Sequence, residues 1–331
     1  MRRTLGATGL TVSRLGLGLA ATGRPAYITL GRAGALPGDR SPEAMYARTA
    51  AVLDAAWCAG VRYLDVARSY GRAEEFLARW LAGRPETGDA IVGSKWGYRY
   101  TAAWRLEAAM HEEKELSLER FEAQLAESRA LLGSRLALYQ IHSATLESGC
   151  LDDRRLLAAL VRARRRGAYR AVGLTLSGAR SAATLERALA ARVDGVRVFD
   201  CVQATFNLLE PSLAADLARA HAEGVGVIAK EVFANGRLSP ANERPEDLPL
   251  RERLRAIVDE AGHPCDQLAL AWVLAHPFVD VALSGAVSAE QVRSHAAAAA
   301  AALTPGATAA LAALAEPPER YWATRAALPW S

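Results

Sequence analysis

GVRYLDVARSYGRAEEF, residues 60–76, sets an ionisable side chain near the end of an apolar strand. Val61 to Val66 reads as buried β-structure, and Asp65 falls inside it. A buried carboxylate costs free energy unless it is paired, so the strand must deliver Asp65 to a place where a cation waits. Tyr70 follows where the chain has left the strand for a loop, and from Arg72 onward the pattern turns helical. The stretch is one strand–loop–helix unit with chemistry at its strand end.

The same unit recurs along the chain. Apolar segments rich in Val, Ile and Leu lie at 14–20, 61–67, 90–95, 136–142, 170–177, 200–207, 224–231 and 279–285. Between and after them come stretches of period near 3.6, at 47–59, 72–81, 118–132, 153–166, 179–191, 212–223, 250–275 with a break near Pro264, and 289–303. Eight β-then-α units without a composition break predict an α/β fold, a single parallel (β/α)8 TIM barrel, and 331 residues fit one domain over 1–331. Residues 1–13 predict a β-hairpin with a Gly-containing turn that plugs one barrel end. Long connections at 21–43, 96–117 and 232–249 each follow a strand, on the face where such barrels carry chemistry. A tail occupies 315–331.

A hydrophobic fraction of 51% and a charged fraction of 23% belong to a chain with a sizeable core. The four cysteines, Cys58, Cys150, Cys201 and Cys265, are scattered singly without zinc-ligand spacing, which predicts a reduced, cytoplasmic protein and no metal. Arg14 interrupts any apolar signal core at the N-terminus. The alanine-rich run from Ala296 is much shorter than the ~20 residues of a membrane helix, so no membrane span is expected. The net charge is +4, and the densest basic run, RARRR at 162–166, ends a helical stretch that begins with two aspartates. Acid at the start and base at the end complement the helix dipole, so the run reads as a solvated helix end and not as a nucleic-acid surface.

Three consecutive strand ends carry the chemistry: Asp65 with Tyr70 beyond it, Lys95, and His142. Neighbouring barrel strands bring their ends to one rim, which pairs Asp65 with Lys95. A phenol gives up its proton only near pH 10, and an adjacent ammonium favours the phenolate. With His142 orienting a carbonyl oxygen, the group is a general acid facing a carbonyl; no side chain supplies hydride, so a nicotinamide cofactor is implied. The connection after Lys95 holds Trp96, Tyr98, Tyr100 and Trp104; these either line a substrate cleft, as expected for Trp96 and Trp104, or pack against the tail. His111, His221, His263, His276 and His295 have no such company. Asn207 and Arg237 either serve the site or anchor loops.

These residues stand in segments that resemble the aldo-keto reductase family. GVRYLDVARSYG is similar to the family's segment around its aspartate and tyrosine, VGSKWG to its lysine strand and LYQIHSA to its histidine strand. CVQATFNLLE and ALAWVLAHP resemble further family segments, so the likeness covers about the whole chain. The branch it resembles includes potassium-channel β subunits and bacterial sugar dehydrogenases. The resemblance implies that Tyr70 donates the proton, that Lys95 and Asp65 tune it, and that His142 orients an aldehyde, ketone or sugar. NAD(P)(H) would transfer its pro-R hydride to the carbonyl carbon. Thr175 and Gln203 fall where the family holds the carboxamide, and Gly18, Lys230, Ser284, Gly285 and Gln291 fall along the cofactor, with the pyrophosphate on Ser284, Gly285 and the following helix.

Three departures mark this chain. Thr175-Leu176 replaces the family's usual Ser-Asn, with Ser177 as the nearest substitute. Lys230 stands where many members stack an aromatic on the nicotinamide, so either Phe233 takes that place or Lys230 joins Glu231 in an ion pair. Members that prefer NADP place basic residues where this chain has Gly285 and Gln291, with Arg293 nearby, so the reading leans to NAD. Two other uses of the barrel stay open: a non-catalytic cofactor-binding module, and a Schiff-base lyase acting through Lys95.

Overall fold

This computed structural model describes residues 2–36, 38–298, 301 and 303–330. The chain opens with an antiparallel hairpin, β1 (Arg2–Thr4) and β2 (Thr11–Ser13). Then come β3 (Leu15–Gly18), β4 (Tyr63–Asp65), β5 (Ile91–Trp96), the hairpin β6 (Tyr98–Tyr100) and β7 (Glu112–Lys114), β8 (Leu136–Ala144) and β9 (Ala171–Leu176). A short hairpin, β10 (Arg192–Val193) and β11 (Val196–Arg197), precedes β12 (Cys201–Thr205), β13 (Gly226–Lys230) and β14 (Val281–Ser284). Among the described residues β3, β4, β5, β8, β9, β12, β13 and β14 close in that order into one parallel barrel. All eight expected strands are barrel strands.

The helices are α1 (Arg32–Ala35), α2 (Pro42–Cys58), α3 (Ala73–Ala82), α4 (Leu118–Leu132), α5 (Arg154–Arg165), α6 (Ser181–Ala190), α7 (Ala214–Ala222), α8 (Leu248–Ala261), α9 (Cys265–Ala275), α10 (Ala289–Ala297), α11 (Pro305–Ala312) and α12 (Pro318–Ala326). Their starts follow capping chemistry: Ser41, Ser117, Asp153, Ser288 and Thr304 each accept a first-turn backbone N–H. The stretch expected as 250–275 is two helices, split where Gly262 turns left-handed (φ 70°) before Pro264. The helix expected over 289–303 ends at Ala297, and positions 299, 300 and 302 of that expectation lie outside the described residues, as does Met1 of the hairpin. RARRR lies at the end of α5, where Arg164 meets Asp200 at 2.5 Å and Arg165 meets Asp194 at 3.2 Å. None of the described helices is long and apolar enough to cross a membrane.

Side chains alternate across each strand, and the alternation builds two cores. Outward residues such as Val92, Val172, Leu174 and Val202 pack under the helices, while Tyr63, Leu138, Cys201, Ile228 and Val281 point into the barrel. Those inward residues meet Leu5, Leu10 and Val12 of the hairpin, which plugs the end opposite the site. Ala7 N donates to Gly224 O at 2.8 Å, and a Cβ on Gly6 would fall 2.3 Å from Gly226 N, so only glycine lets the two backbones approach this closely. With the lower barrel filled by side chains, the open volume lies at the strand C-terminal ends.

Candidate active site

Asp65, at the end of β4, accepts from three donors: Lys95 Nζ, Gln203 Nε2 at 2.9 Å and Tyr63 Oη at 3.2 Å. Lys95 Nζ also donates to Val66 O at 3.0 Å, and both charged groups are almost wholly buried. Tyr63 has room because β5 carries glycine opposite it; a Cβ on Gly93 would lie 2.3 Å from the phenol oxygen. Tyr70 stands on the loop after β4, its N–H bonded to Ala67 O at 3.1 Å. Its ring centroid lies 4.8 Å from Lys95 Nζ and 5.6 Å, edge-on, from the His142 ring. The expected group of Asp65, Tyr70, Lys95 and His142 therefore comes together, and Asp65 is paired with Lys95 as expected.

Burial, then the Asp65 charge, push the Tyr70 phenol well above its ordinary range, and Arg24 pulls the other way. This reverses the direction expected from Lys95: an ammonium already neutralised by a carboxylate offers the phenol little net field. Burial and then Lys95 hold the His142 imidazole well below 6.5, so it is neutral at pH 7. Its Nδ1 is buried without a partner among the described residues.

These groups form the floor of a cavity of about 980 Å3. The connections 21–43 and 232–249 roof it together: Asn235 donates through Nδ2 to Ile28 O at 2.8 Å and accepts at its own O from Leu30 N at 2.9 Å. Asn235 has φ 55°, a left-handed geometry that asparagine tolerates better than most residues. The cavity runs from Tyr70 and His142 to Ser284, Gly285, Gln291 and His295. A dinucleotide fits it. Asn235 Oδ1 and Asp266 Oδ1 are buried acceptors on the lining without partners among the described residues, and Gly285 leaves open space where a Cβ would stand.

Gly18, Gln203, Lys230, Ser284, Gly285 and Gln291 all line the cavity. Gln203 directs its amide at Asp65, and Gln291 Oε1 accepts from Val287 N at 2.8 Å. Lys230 donates to Thr205 Oγ1 at 2.8 Å, lies 3.8 Å from Glu231, and is pulled down by burial to about 8. Burial pushes Glu231 up, but Arg325 and Lys230 outweigh it and hold the carboxyl at about 2. The Lys230–Glu231 pair is thus present, extended by Arg325 from the tail. The Thr175 hydroxyl accepts from Ser143 N at 2.7 Å, and Ser177 lines the cavity nearby.

Trp96 and Trp104 stand off the cavity lining. Because Lys95 points inward, the pleat sends Trp96 outward, where it is fully buried against Phe121. Trp104 packs on Phe76 and donates to Arg40 O at 2.7 Å, away from the cavity lining. The aromatic walls are instead Tyr27, Tyr98 and Trp330, and Trp330 of the tail stacks on His111 at 4.2 Å. His295 has company after all: Nδ1 lies 2.7 Å from Ser284 Oγ and Phe233 stacks on its ring, so Phe233 faces an imidazole. Asn207 and Arg237 anchor loops, Asn207 to Glu231 O and Tyr321 and Arg237 to Asp247 and Glu316. Sequence reasoning missed Arg24 and Glu112, which carry no periodic signal because both stand on strand-to-helix connections.

Among the described residues no cluster of His, Cys, Asp or Glu is placed to hold a metal ion. A sequence profile described as the aldo/keto reductase family matches residues 15–316. A pyridoxal 4-dehydrogenase of Microbacterium luteolum is 39% identical over 98 residues, 29% of this chain and 24% of that protein. A D-threo-aldose 1-dehydrogenase of a Pseudomonas species is 29% identical over 212 residues, 59% of this chain and 62% of the relative. The chain thus spans less than two thirds of either curated relative. An aldo-keto reductase from Bacillus halodurans, solved in its holo form, superposes with a TM-score of 0.71 at 22% identity, over 95% of this chain and 96% of that one.

Proposed function

The chain belongs to the aldo/keto reductase family, and from that premise we propose that it is an NAD-dependent alcohol or aldose dehydrogenase. It interconverts the carbonyl of an uncharged sugar or aldehyde and the corresponding alcohol, in the cytoplasm, where its four free thiols stay reduced. The observation that carries this reading is the convergence of Tyr70, Asp65 and His142 on one cavity floor, with Lys95 buried just behind it and paired with Asp65. The nicotinamide, when bound, supplies or accepts hydride. Tyr70 gives its proton to the carbonyl oxygen in reduction and takes one from the alcohol in oxidation. His142, neutral, offers one N–H to the same oxygen; Lys95 is fixed by Asp65 and the carbonyl of Val66, and Asp65 in turn by Gln203 and Tyr63.

Two features narrow the partners. The loop after β14 and the start of α10 line the cavity with Ser284, Gly285, Ser288, Glu290 and Gln291, and Asp266 adds a second carboxylate, so a 2′-phosphate would meet like charge there. At the catalytic end each cation has an acidic neighbour: Lys95 with Asp65, Arg24 with Glu112, Lys230 and Arg325 with Glu231. An uncharged substrate stacked against Tyr27, Tyr98 or Trp330 suits such a balance. The two curated relatives are named for dehydrogenation of pyridoxal and of an aldose, substrates of this class.

Tryptophan-fluorescence titration with NADH and NADPH, followed by turnover of aldoses and aldehydes, tests the proposal. NADH is expected to bind at least about tenfold tighter than NADPH. Tyr70→Phe is expected to lower kcat by about 10^2 to 10^4 with NADH binding unchanged. Full turnover by Tyr70→Phe would sink the assignment, and binding without turnover of any carbonyl would leave a cofactor-binding module.

A further inference from the structure

Arg24 is buried, with 2% of its surface exposed, yet it stands on a loop beside the catalytic floor. Its guanidinium lies 5.2 Å from the Tyr70 ring centroid, 4.9 Å from Tyr27 and 5.0 Å from Trp330. Nη1 donates to Ser69 O at 3.1 Å, one residue before Tyr70, and to Glu112 Oε1 at 2.6 Å. Nε has no partner among the described residues. Apolar replacement of a buried ion pair is often neutral or stabilising, so stability alone is a weak reason for a guanidinium here. Arg24 and Lys95 are about equally close to the Tyr70 ring, but Lys95 meets a carboxylate that is itself buried, whereas the partner of Arg24 is 18% exposed and partly hydrated.

We propose that Arg24 is a second positioning cation for Tyr70, and that Glu112, on the β6–β7 hairpin, sets how much of the Arg24 charge the phenol feels. The inference rests on the reading of Tyr70 as the proton-transferring group. Facing that phenol are Asp65 and Tyr63 from β4, Lys95 from β5, His142 from β8, Arg24 and Tyr27 from the first long connection, Tyr98 and Glu112 from the hairpin, and Glu231 after β13. Burial and Asp65 raise the phenol, Glu112 and Glu231 add to the rise, and Arg24 opposes them. A closing of the hairpin that moved Glu112 away from Arg24 would favour the phenolate.

The test is the pH profile of kcat/KM for alcohol oxidation in Arg24→Met, Arg24→Lys and Glu112→Gln. Removing the cation is expected to move the alkaline limb up by about one pH unit, a tenfold loss at fixed pH on the limb, and removing the carboxylate to move it down by a similar amount. Arg24→Lys, which keeps the charge, is expected to stay near the wild type. The same variants are followed by 13C-ζ tyrosine NMR, with the Tyr70 resonance assigned as the one missing from Tyr70→Phe. If no alcohol is turned over but that resonance shifts its titration with the expected signs, the proposal stands and the dehydrogenase reading falls. If kcat drops while limb and resonance titrate alike in every folded variant, Arg24 is a structural residue only and the proposal is overturned.

Discussion

Tyr70 owes its role to its surroundings more than to its own chemistry. Burial and Asp65 keep the phenol protonated well beyond neutrality; in the proposed reaction it is then ready as an acid for reduction, while oxidation needs the small phenolate fraction. That fraction grows as pH rises toward a raised pKa, so kcat/KM for alcohol oxidation is expected to climb about tenfold per pH unit from pH 7 to 9. His142, held neutral, adds no acid limb above pH 6.5. A stopped-flow profile that stayed flat across that range would remove Tyr70 as the base. The residue scale also shows where side-chain direction overrides residue type. Trp96 belongs to an aromatic-dense connection that suggests a cleft, yet it is a core residue, because Lys95 faces inward and adjacent residues of a strand face opposite ways. Ser143 and Glu231, just beyond or at the ends of β8 and β13, have φ of 53° and 54°, conformations that side chains other than Gly adopt only under constraint, and both lie on the cavity lining.

At the level of elements, the tail helix α12 is tied to the barrel rim through a half-buried ion pair. Arg325 grips Glu231 with Nε at 2.9 and 3.0 Å and Nη2 at 2.5 Å, while Tyr321 accepts from Asn207 Nδ2 at 3.1 Å. Arg325→Ala would leave the Glu231 carboxylate, 8% exposed, with Lys230 as its remaining cation, and is expected to cost roughly 3 kcal/mol. Urea unfolding measures this directly, with the exposed Arg320→Ala as a control expected within about 0.5 kcal/mol of wild type. An equal effect in both variants would mean that the pair does not hold the tail. Because Trp330 follows α12 onto the cavity wall, the same variant is expected to raise KM for substrate more than it lowers NADH binding. The two roofing connections differ in kind from the tail: they join through backbone and amide groups at Ile28, Leu30 and Asn235.

For the whole molecule, burial keeps the imidazole neutral both at His142 on the cavity floor and at His295 at the far end, the latter at about 4. A histidine whose folded pKa is depressed contributes its stability above the unfolded value near 6.5 and loses it as pH falls toward the folded value. Stability is therefore expected to drop by about 2 kcal/mol between pH 7 and pH 5 from His295 alone, read as a lower urea midpoint. His295→Gln is expected to flatten that slope, and an unchanged slope would exclude it as the source. The sequence determined the barrel, because strand and helix periodicities are local and eight repeats leave one economical closure. It also determined the four residues at consecutive strand ends, because neighbouring strands of a parallel barrel share a rim. Only the tertiary structure decided the rest: which aromatics wall the cavity, that Thr175 turns to the backbone of Ser143, that His295 joins Ser284, and that Arg24, Glu112 and Arg325 reach the site. Those residues stand on loops, at a pleat position, or far apart in the chain, and no sequence period specifies which way a loop folds back or what a long-range partner will be.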